Sequence, residues 1–285
     1  MPLISIIVVS WNVKEYLRRC LNSLKPGVDS GYCEVLVVDN ASGDGSADTV
    51  RQYFPWVKLM ALTENVGFAA ANNLAFKQTQ GEILLLLNPD TEIEQDFLQN
   101  LLNFYKQSPS VGVVGGRIIN ENGTIQPSVR RFPGLWSSLL DSLKLLRRFP
   151  TLAPHYLARD FNYNKTQIAD QVMGACFAIR REWWQKLNGF DENFWIWFEE
   201  ADFCKRVWQD GGEVWYNQQM IVKHTGAASF SQLSYFERHR LFTRSLLHYL
   251  YKHNSRTVWF LIWLVSRPMF LITYLIDRVV PLPAR

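Results

Sequence analysis

The chain has 285 residues, of which 48% are hydrophobic and 20% charged, which allows one large domain with an appendage and excludes a generally disordered protein. Its formal net charge of +4 is too small to indicate nucleic-acid binding, but it is compatible with an anionic ligand or an anionic membrane surface. The four cysteines lack CxxC spacing, so we expect reduced thiols of a cytosolic protein and neither a zinc site nor a disulfide framework.

Strand-like and helix-like segments alternate from the N-terminus onward. The opening MPLISIIVVSWN has no basic region and no cleavage motif, so it predicts a strand and not a signal peptide. Aliphatic runs predict buried strands at Ile4 to Ser10, Glu34 to Asn40, Val57 to Leu62 and Ile83 to Asp90. Helices are predicted between them: one capped by Asn12 and ended by Pro26-Gly27, one over Ala47 to Tyr53, and one over Ala69 to Gln78.

This alternation predicts an α/β domain with a mostly parallel sheet flanked by helices. Ligands of such sheets bind at the carboxyl ends of the strands. Two of the predicted strands end in aspartate, at Asp39 and Asp90. The pattern therefore places two carboxylates at one edge of the sheet, where a ligand would bind.

The middle of the chain, from 117 to 171, is rich in arginine, proline and aromatic residues and has poor periodicity. We expect long loops and short helices there, on the side of the site where an acceptor would be recognised. Regular structure returns with QVMGACFAIRREWWQKLNGF, a predicted strand and a helix that ends near Asn188-Gly189. An acidic helix is then predicted from Glu199 to Gly211-Gly212, followed by a strand, EVWYN, that leads toward KHTG.

Residues 231–285 predict a basic and apolar helical segment that follows a domain of residues 1–230. The run from Thr257 to Ile276 contains one charge, Arg267, and is long enough to span a bilayer. Arg267-Pro268 divides it into two halves, which favours an interfacial or re-entrant hairpin. The alternative is that these helices pack on the preceding domain, but apolar runs of this size favour membrane association.

The strand-end carboxylates have the chemistry that a sugar-nucleotide site needs. Asp39 can accept from the N3–H of a pyrimidine base, and Asp90 can hold Mg²⁺ or Mn²⁺ against a diphosphate, because hard cations prefer oxygen ligands. His224 can complete the metal shell. Other interpretations remain open: Asp39 can form an ordinary Asx turn, Asp90 can cap a helix with Glu92 and Glu94 in its first turn, and His224 can be a structural histidine.

Three carboxylates, Glu199, Glu200 and Asp202, follow the apolar stretch FWIWF. A general base needs a raised pKa, which burial beside these aromatic side chains would provide for Glu200 or a neighbour. The structural alternative is a helix start, where acidic residues complement the macrodipole and Asp202 pairs with Arg206 at i,i+4. The sequence leaves both interpretations open.

Six ordered segments together resemble the family 2 glycosyltransferases of the Rossmann-like GT-A fold, in particular the rhamnosyltransferase-like branch. They cover about residues 3–230 and read SIIVVSWN, VVDNASGDGS, ENVGFAAANN, LLLLNPDT, GACFAIRREWWQKLNGFDENFWIWFEEADFCKR and VKHTGAAS. The resemblance implies that Asp39 reads the base, with further nucleotide-binding residues at Ser10, Trp11, Asn65, Gly67 and Asn72.

The same resemblance places Asn88 and Asp90 at the two ends of the metal-binding DxD motif and adds His224 to the metal shell. Glu199 and Glu200 stand where the family has an acidic pair whose second member is the general base. Two departures are evident: Asn88 offers only a neutral oxygen, and Glu200 is one methylene longer than the usual aspartate.

The resemblance implies a metal-dependent, inverting transferase that uses Mg²⁺ or Mn²⁺ and a UDP- or dTDP-linked sugar, with rhamnose or another hexose as the sugar. A glycan or lipid-linked acceptor, a role in cell-surface polysaccharide synthesis and a cytoplasmic location at the inner face of the cell membrane are expected. A Rossmann dehydrogenase is the rival enzyme class, but GxGxxG is missing after the first strand. A non-catalytic, membrane-associated nucleotide-sugar-binding protein is the other rival, which Asn88 leaves open.

Overall fold

The computed structural model describes residues 3–226 and 232–279, with the side chain of Arg147 excepted. The predicted domain boundary at residue 230 and the last three residues of VKHTGAAS lie outside these ranges.

The centre of the molecule is a nine-stranded sheet with the order β3-β2-β1-β4-β10-β6-β11-β5, in which β8 also pairs with β11. The strands β7 and β9 form a separate pair. In chain order the strands are β1 Ile4–Ser10, β2 Cys33–Asp39, β3 Lys58–Ala61, β4 Ile83–Leu87, β5 Thr91–Ile93, β6 Val111–Ile119, β7 Val129–Arg130, β8 Gln167–Ile168, β9 Gln171–Val172, β10 Cys176–Arg180 and β11 Glu213–His224.

Ten α-helices and one 3₁₀ turn, Pro150–Leu152, connect the strands in the described ranges. The helices are α1 Lys14–Asp29, α2 Ser46–Tyr53, α3 Phe68–Phe76, α4 Phe97–Gln107, α5 Leu135–Ser142, α6 Leu145–Arg148, α7 Arg181–Lys186, α8 Glu199–Gln209, α9 Tyr235–His253 and α10 Arg256–Val279.

The strands β3, β2, β1 and β4 run parallel to one another. The strands β1, β2 and β4 are buried on both faces, whereas the edge strand β3 is half-buried to exposed. Pairs β1–β2, β1–β4 and β2–β3 are parallel, whereas β10 is antiparallel to both β4 and β6. Alternate residues of β1 enter different core clusters: Ile6 and Val8 belong to one, Ile7 and Val9 to the other. This burial explains why the strands are continuous aliphatic runs, and the α/β prediction is confirmed.

Two predicted boundaries of the first helix are wrong. Asn12 does not cap α1: it has a φ of 52°, and its side-chain oxygen accepts from the backbone N–H of Gly43 at 2.7 Å, so it fastens the end of β1 to the next loop. The helix also continues through Pro26 to Asp29. A proline removes only its own N–H, and the Pro26 carbonyl still accepts from Ser30 at 3.1 Å.

The fourth predicted strand ends earlier, at Leu87, so Asp90 lies in a turn. Residues Thr91–Ile93 then form β5, which pairs antiparallel with the end of β11. The helix that Asp90 was expected to cap in the structural interpretation therefore does not exist there, and α4 begins only at Phe97.

The predicted hairpin at Arg267-Pro268 is also wrong, because α10 is one helix of 24 residues with Pro268 inside it. It packs against α9 and α5. Its buried residues lie on both sides of the proline, with Ile262 and Ser266 before it and Thr273 after it. Packing along the whole helix holds it together across the one missing backbone hydrogen bond.

Candidate active site

A cavity of about 510 Å³ opens where β1, β2 and β4 end. Its floor contains residues that directly follow these strands, including Trp11, Asn40 and the Asn88–Asp90 turn. The walls come from the start of α3, the segment before β10, the stretch from Trp195 to Glu200, the end of β11 and the first turn of α9. Segments far apart in sequence thus meet at the carboxyl ends of the strands, as expected for an α/β sheet.

Asp39 and Ser10 are register partners at the ends of β2 and β1, next to the cavity but not among its lining residues. One carboxylate oxygen of Asp39 accepts from the N–H of Ser42 at 2.9 Å, so the Asx turn is present. Its other oxygen and the Ser10 hydroxyl are buried and have no hydrogen-bond partner within residues 3–226 and 232–279. Buried polar atoms of this kind call for a ligand or water, so the turn does not use up the capacity of Asp39 to bind.

The loop before α3 joins this side to the aromatic stretch. Gly67 has a φ of +88°, and a Cβ there would lie 2.5 Å from the carbonyl oxygen of Trp195. The next N–H, of Phe68, donates to that same carbonyl at 2.7 Å. Asn65 and Gly67 line the cavity, whereas Asn72 does not: its amide donates back to the Phe68 carbonyl at 2.9 Å.

Asp90 and His224 form a buried pair on the opposite wall, with His224 Nε2 at 3.4 Å from Asp90 Oδ1. The pairing of β5 with β11 sets this proximity. The other ring nitrogen, Nδ1, lies 2.7 Å from the side-chain oxygen of Gln126, which can only accept. Nδ1 can therefore donate to Gln126, while Nε2 faces the carboxylate of Asp90 at a wall of the cavity that Asn88 also lines.

Such a set of nitrogen and oxygen donors suits a divalent cation. The protein supplies two strong donors here, and no group of three or more His, Cys, Asp and Glu side chains with metal-binding geometry occurs in the described part of the chain. Further ligands would have to come from a bound molecule, which is usual for cations that keep positions for phosphate oxygens.

The acidic helix α8 begins after two consecutive residues in the left-handed region, Trp197 with φ 64° and Phe198 with φ 71°. Such conformations cost on the order of 1–3 kcal/mol each in non-glycine residues and cluster at functional sites. Here they turn the chain so that Glu199 and Glu200 both line the cavity.

Burial raises the pKa of both carboxyls, and the charge of Glu200 raises that of Glu199 further, well above its usual value. One oxygen of each side chain is buried without a hydrogen-bond partner among the described residues. Because a charge on one carboxyl opposes ionisation of the other, the pair favours a state with one carboxylate and one protonated carboxyl. Two neighbouring carboxyls whose pKa values are driven apart are a recurrent acid–base arrangement.

Asp202 is buried elsewhere and does not line the cavity. It accepts from Arg206 at 2.7 Å, which confirms the predicted i,i+4 pair, and it also contacts Lys252 at 2.8 Å and His253 at 2.7 Å on α9. Burial alone would raise its pKa, but the hydrogen bond from His253 and the two cationic side chains lower it. These contacts give Asp202 a structural role between α8 and α9.

Three residues near the cavity were not predicted. Asn40 fastens the loop before α3, donating to the Gly67 carbonyl at 3.2 Å and accepting from the Val66 N–H at 3.0 Å. Gln126 orients His224 from the irregular segment, and Arg238 of α9 lines the cavity. Only Asn40 carried a local signal, its position directly after a strand that ends in aspartate.

Comparison with known proteins agrees with this geometry. A model of the family described as glycosyl transferase family 2 matches residues 5–188, and a model described as the N-terminal domain of galactosyltransferase matches residues 155–226. Among characterised relatives, the N-acetylglucosaminyl-diphospho-decaprenol L-rhamnosyltransferase of Mycobacterium tuberculosis is 25% identical over 240 residues, which cover 79% of this chain and 76% of the relative.

Two solved structures are similar in fold. The mannosyltransferase PcManGT from Pyrobaculum calidifontis, in complex with GDP-Man and Mn²⁺, gives a TM-score of 0.60 at 18% identity and covers 98% of this chain and 76% of its own. The structure of GalNAc-T7 with UDP, GalNAc and Mn²⁺ gives a TM-score of 0.63 at 16% identity and covers 99% of this chain and 52% of its own. At these identities the likeness shows the fold, which is GT-A, so that expectation is confirmed.

Proposed function

Because the chain belongs to glycosyltransferase family 2, we propose that it moves rhamnose or another hexose from a nucleotide diphosphate sugar to a hydroxyl group, with inversion at the anomeric carbon. The observation that carries this proposal is that Glu199 and Glu200 line the same cavity as Asp90 and His224. Both glutamates have a raised pKa and a carboxyl oxygen without a hydrogen-bond partner among the described residues. This arrangement supports a general base and a cation site that act on one bound donor.

The donor would bind along the strand ends. The free oxygen of Asp39 can accept from the N3–H of uracil or thymine, which supports a UDP- or dTDP-linked sugar, and the Ser10 hydroxyl beside it can bond the same nucleotide. Trp11, Asn65 and Gly67 line the adjoining wall. Arg238 adds a permanent positive charge to the cavity, where a diphosphate would benefit from it.

A divalent cation, Mg²⁺ or Mn²⁺, fits the pair of Asp90 and His224. His224 Nε2 and Asp90 Oδ1 lie 3.4 Å apart in this wall, so a nitrogen and an oxygen donor are available at one place. The amide oxygen of Asn88 is a third, neutral donor at the same wall. When bound, the cation would neutralise charge on the departing diphosphate.

Glu200 is the proposed general base. Its carboxylate would take the proton of the acceptor hydroxyl as the oxygen attacks the anomeric carbon, and the bond from that carbon to the diphosphate would break on the opposite face. Trp195 and Trp197 line the cavity beside it and limit access of water, which would otherwise compete as acceptor. Glu199, protonated, can donate a hydrogen bond to the sugar or the acceptor.

Two observations bear on the acceptor class and on the location of the protein. The mycobacterial relative acts on a decaprenol-linked diphosphate sugar according to its name, and α10 is long and apolar enough to cross a membrane. We therefore propose a glycan or lipid-linked acceptor, a role in cell-surface polysaccharide synthesis, and a cytoplasmic protein peripheral to the inner face of the cell membrane.

The test is hydrolysis and transfer of UDP- and dTDP-hexoses with and without Mn²⁺. Glu200→Gln should lower the rate by about 10²–10⁴ with little change in donor affinity, because it removes the proton acceptor and keeps the shape. Glu182→Gln, the same change at an exposed position of α7, is the matched control and should leave the rate unchanged.

A protein that only binds nucleotide sugars would give donor binding in the titration and no turnover with any donor. Normal transfer by Glu200→Gln would contradict the assignment of the base. If Asp202→Asn were the inactive variant instead, the base would have to be sought outside the cavity that Glu199 and Glu200 line.

A further inference from the structure

The helix α10 has an inverted distribution of side chains. Its fully buried residues include two small polar ones, Ser266 and Thr273, at 0% and 3% exposure. Most of its exposed side chains are large and apolar, among them Leu271 at 62% and Leu264 and Leu275 at 51%. A helix on the surface of a water-soluble domain normally buries its aliphatic side chains and exposes its polar ones. The outer face of α10 is therefore suited to an apolar environment.

The helices beneath α10 bury polar as well as apolar side chains. The helix α10 packs on α9 and α5, whose buried residues include His239, Thr243, Ser138 and Ser142. Close packing through small and polar side chains, with large apolar ones outside, is the arrangement of helices in lipid. The distribution of side chains therefore indicates a lipid-facing surface, independently of the length of α10.

The apolar face extends onto the neighbouring segment. Leu135 and Trp136 of α5 are 43% and 57% exposed, and Phe149 and Leu152 beyond α6 are 48% and 46% exposed. The indole N–H of Trp136 donates to the Leu152 carbonyl at 2.9 Å, so this patch is one unit. Tryptophan with its apolar ring exposed is typical of the level of the lipid head groups.

Three arginines form a stripe along one border of this face. Arg256, Arg267 and Arg278 are each eleven residues apart, about three helical turns, so they project from nearly the same side of α10. All three are exposed. Their guanidinium groups stack on Tyr251, Trp263 and Tyr274 at 3.4, 4.5 and 4.8 Å. The stripe matches a row of lipid phosphates, for which arginine is well suited.

The stripe also distinguishes two orientations. If α10 crossed the bilayer, Arg267 would lie near its centre, where charged side chains are rare, and α9 would enter the bilayer with its exposed Arg240 and Arg244. If α10 lies in the plane of the interface, all three arginines reach phosphates while the leucines reach acyl chains. The second orientation satisfies every exposed side chain named here.

We propose that α10, with the patch of Leu135, Trp136, Phe149 and Leu152, is a docking surface that lies in the plane of an anionic bilayer. This deepens the membrane association of the proposed function, and it does not depend on the chemistry at Glu200. The docked helix is joined to the active site, since Asp277 of α10 accepts at 2.9 Å from the N–H groups of Tyr235 and Phe236, at the start of the helix that carries Arg238.

The orientation is tested with a fluorescent label at single introduced cysteines in the full chain. The four native cysteines are buried, so Phe260→Cys and Leu271→Cys can be labelled selectively. These positions are eleven residues apart on the exposed face. With phosphatidylcholine–phosphatidylglycerol vesicles, lipid quenchers placed at shallow and deep positions should report the same shallow depth for both labels. A deep label at 271 and a shallow one at 260 would show a spanning helix and overturn the proposal.

Binding to vesicles tests the two components of the surface. The variant with Arg256, Arg267 and Arg278 all changed to Gln should bind phosphatidylglycerol vesicles on the order of a hundredfold more weakly. The control changes Arg18, Arg51 and Lys106 to Gln, which removes the same charge from exposed positions of α1, α2 and α4 and should bind as the wild type does. Equal weakening by both variants would show a response to net charge alone and overturn the proposal.

Leu271→Ser with Leu275→Ser should abolish binding while hydrolysis of the donor in solution is retained, which separates this inference from the proposed function. The alternative occupant of the face is a second copy of the chain. Light scattering that showed a dimer broken by the same two substitutions, together with no binding of the wild type to vesicles, would overturn the proposal.

Discussion

The neighbouring carboxyls Glu199 and Glu200 have raised pKa values, so they bind protons more tightly than they would in water. Glu199 is buried and Glu200 half-buried where α8 begins, and each has an oxygen without a hydrogen-bond partner among the residues described. A folded protein that keeps an acid group in such a place loses stability when the group ionises. The cost is understandable if Glu199 has to remain protonated beside a base.

The pH dependence of stability should reveal this cost. Because burial raises the pKa of Glu199 above the usual 4.5, its contribution to stability is present below that pH and is lost as the pH rises through the folded-state value. Each tenfold difference in proton affinity corresponds to about 1.4 kcal/mol. Glu199→Gln mimics the protonated form, so the stability of the wild type relative to this variant should fall with rising pH in denaturant titrations. A difference independent of pH would contradict it.

The metal assignment rests on Asp90. Asp90→Asn should abolish the effect of Mn²⁺ on donor affinity, measured by calorimetry, because the variant offers only a neutral oxygen next to His224. Its melting temperature should stay near that of the wild type, since the side chain faces the cavity.

The matched control for Asp90→Asn is Glu94→Gln, which removes the same charge from an exposed position just after β5. It should leave the response to Mn²⁺ unchanged. Donor affinity that still increased with Mn²⁺ in Asp90→Asn would show that the cation is held by other residues.

At the scale of elements, ion pairs join α9 to α8 and to the segment that precedes α8. Asp191 receives His248 and Lys252, each at 3.0 Å, and Asp202 receives Lys252 and His253. Around them Phe194, Phe198 and Ala201 pack with apolar residues of α9. The helix that presents Glu199 and Glu200 is thus positioned from the C-terminal side of the chain.

Asp202→Asn should therefore destabilise the fold by about 3–5 kcal/mol near neutral pH, since it removes the buried carboxylate that Arg206, Lys252 and His253 share. The pKa of Asp202 is lowered, so its stabilisation is present above the unfolded value of 3.8 and disappears as the pH falls below it. The control Asp210→Asn breaks a surface pair with Lys186 and should cost at most about 1 kcal/mol. Equal losses in chemical denaturation of the two variants would contradict the structural role of Asp202.

Elements defined by their own residues could be predicted, and those defined by tertiary packing could not. The runs that became β1, β2 and β4 are aliphatic because both faces of the sheet are buried, and this is visible locally. Pro26 and Pro268 were interpreted as breaks, but both lie inside helices. Each helix is stabilised across its proline by packing against elements that are distant in the sequence. The residues around the proline therefore do not indicate that the helix continues.

For the whole molecule, the same distinction applies to the site. Asp39 at the end of β2 and Asp90 in the turn after β4 could be predicted to lie at one edge of the sheet, because topology brings strand ends together. Gln126 and Arg238 reach the cavity from the irregular segment and from α9, and no spacing connects either of them to the strands. The C-terminal helices also share a core with the α/β part, in which Ile262 of α10 packs with Phe194.

The close approach at Gly67 has a kinetic consequence. The loop before α3, which lines the cavity, touches the Trp195 carbonyl directly, and the acidic pair begins four residues after Trp195. The loop and the Trp195 carbonyl are in close contact, because even a methyl group at Gly67 would lie 2.5 Å from that carbonyl oxygen. Gly67→Ala should therefore raise the Michaelis constants for both substrates together, whereas a change confined to donor contacts would raise only one. The measurement is steady-state kinetics with both substrates varied. We expect the Michaelis constant for the donor to depend on the concentration of the acceptor, and the reverse.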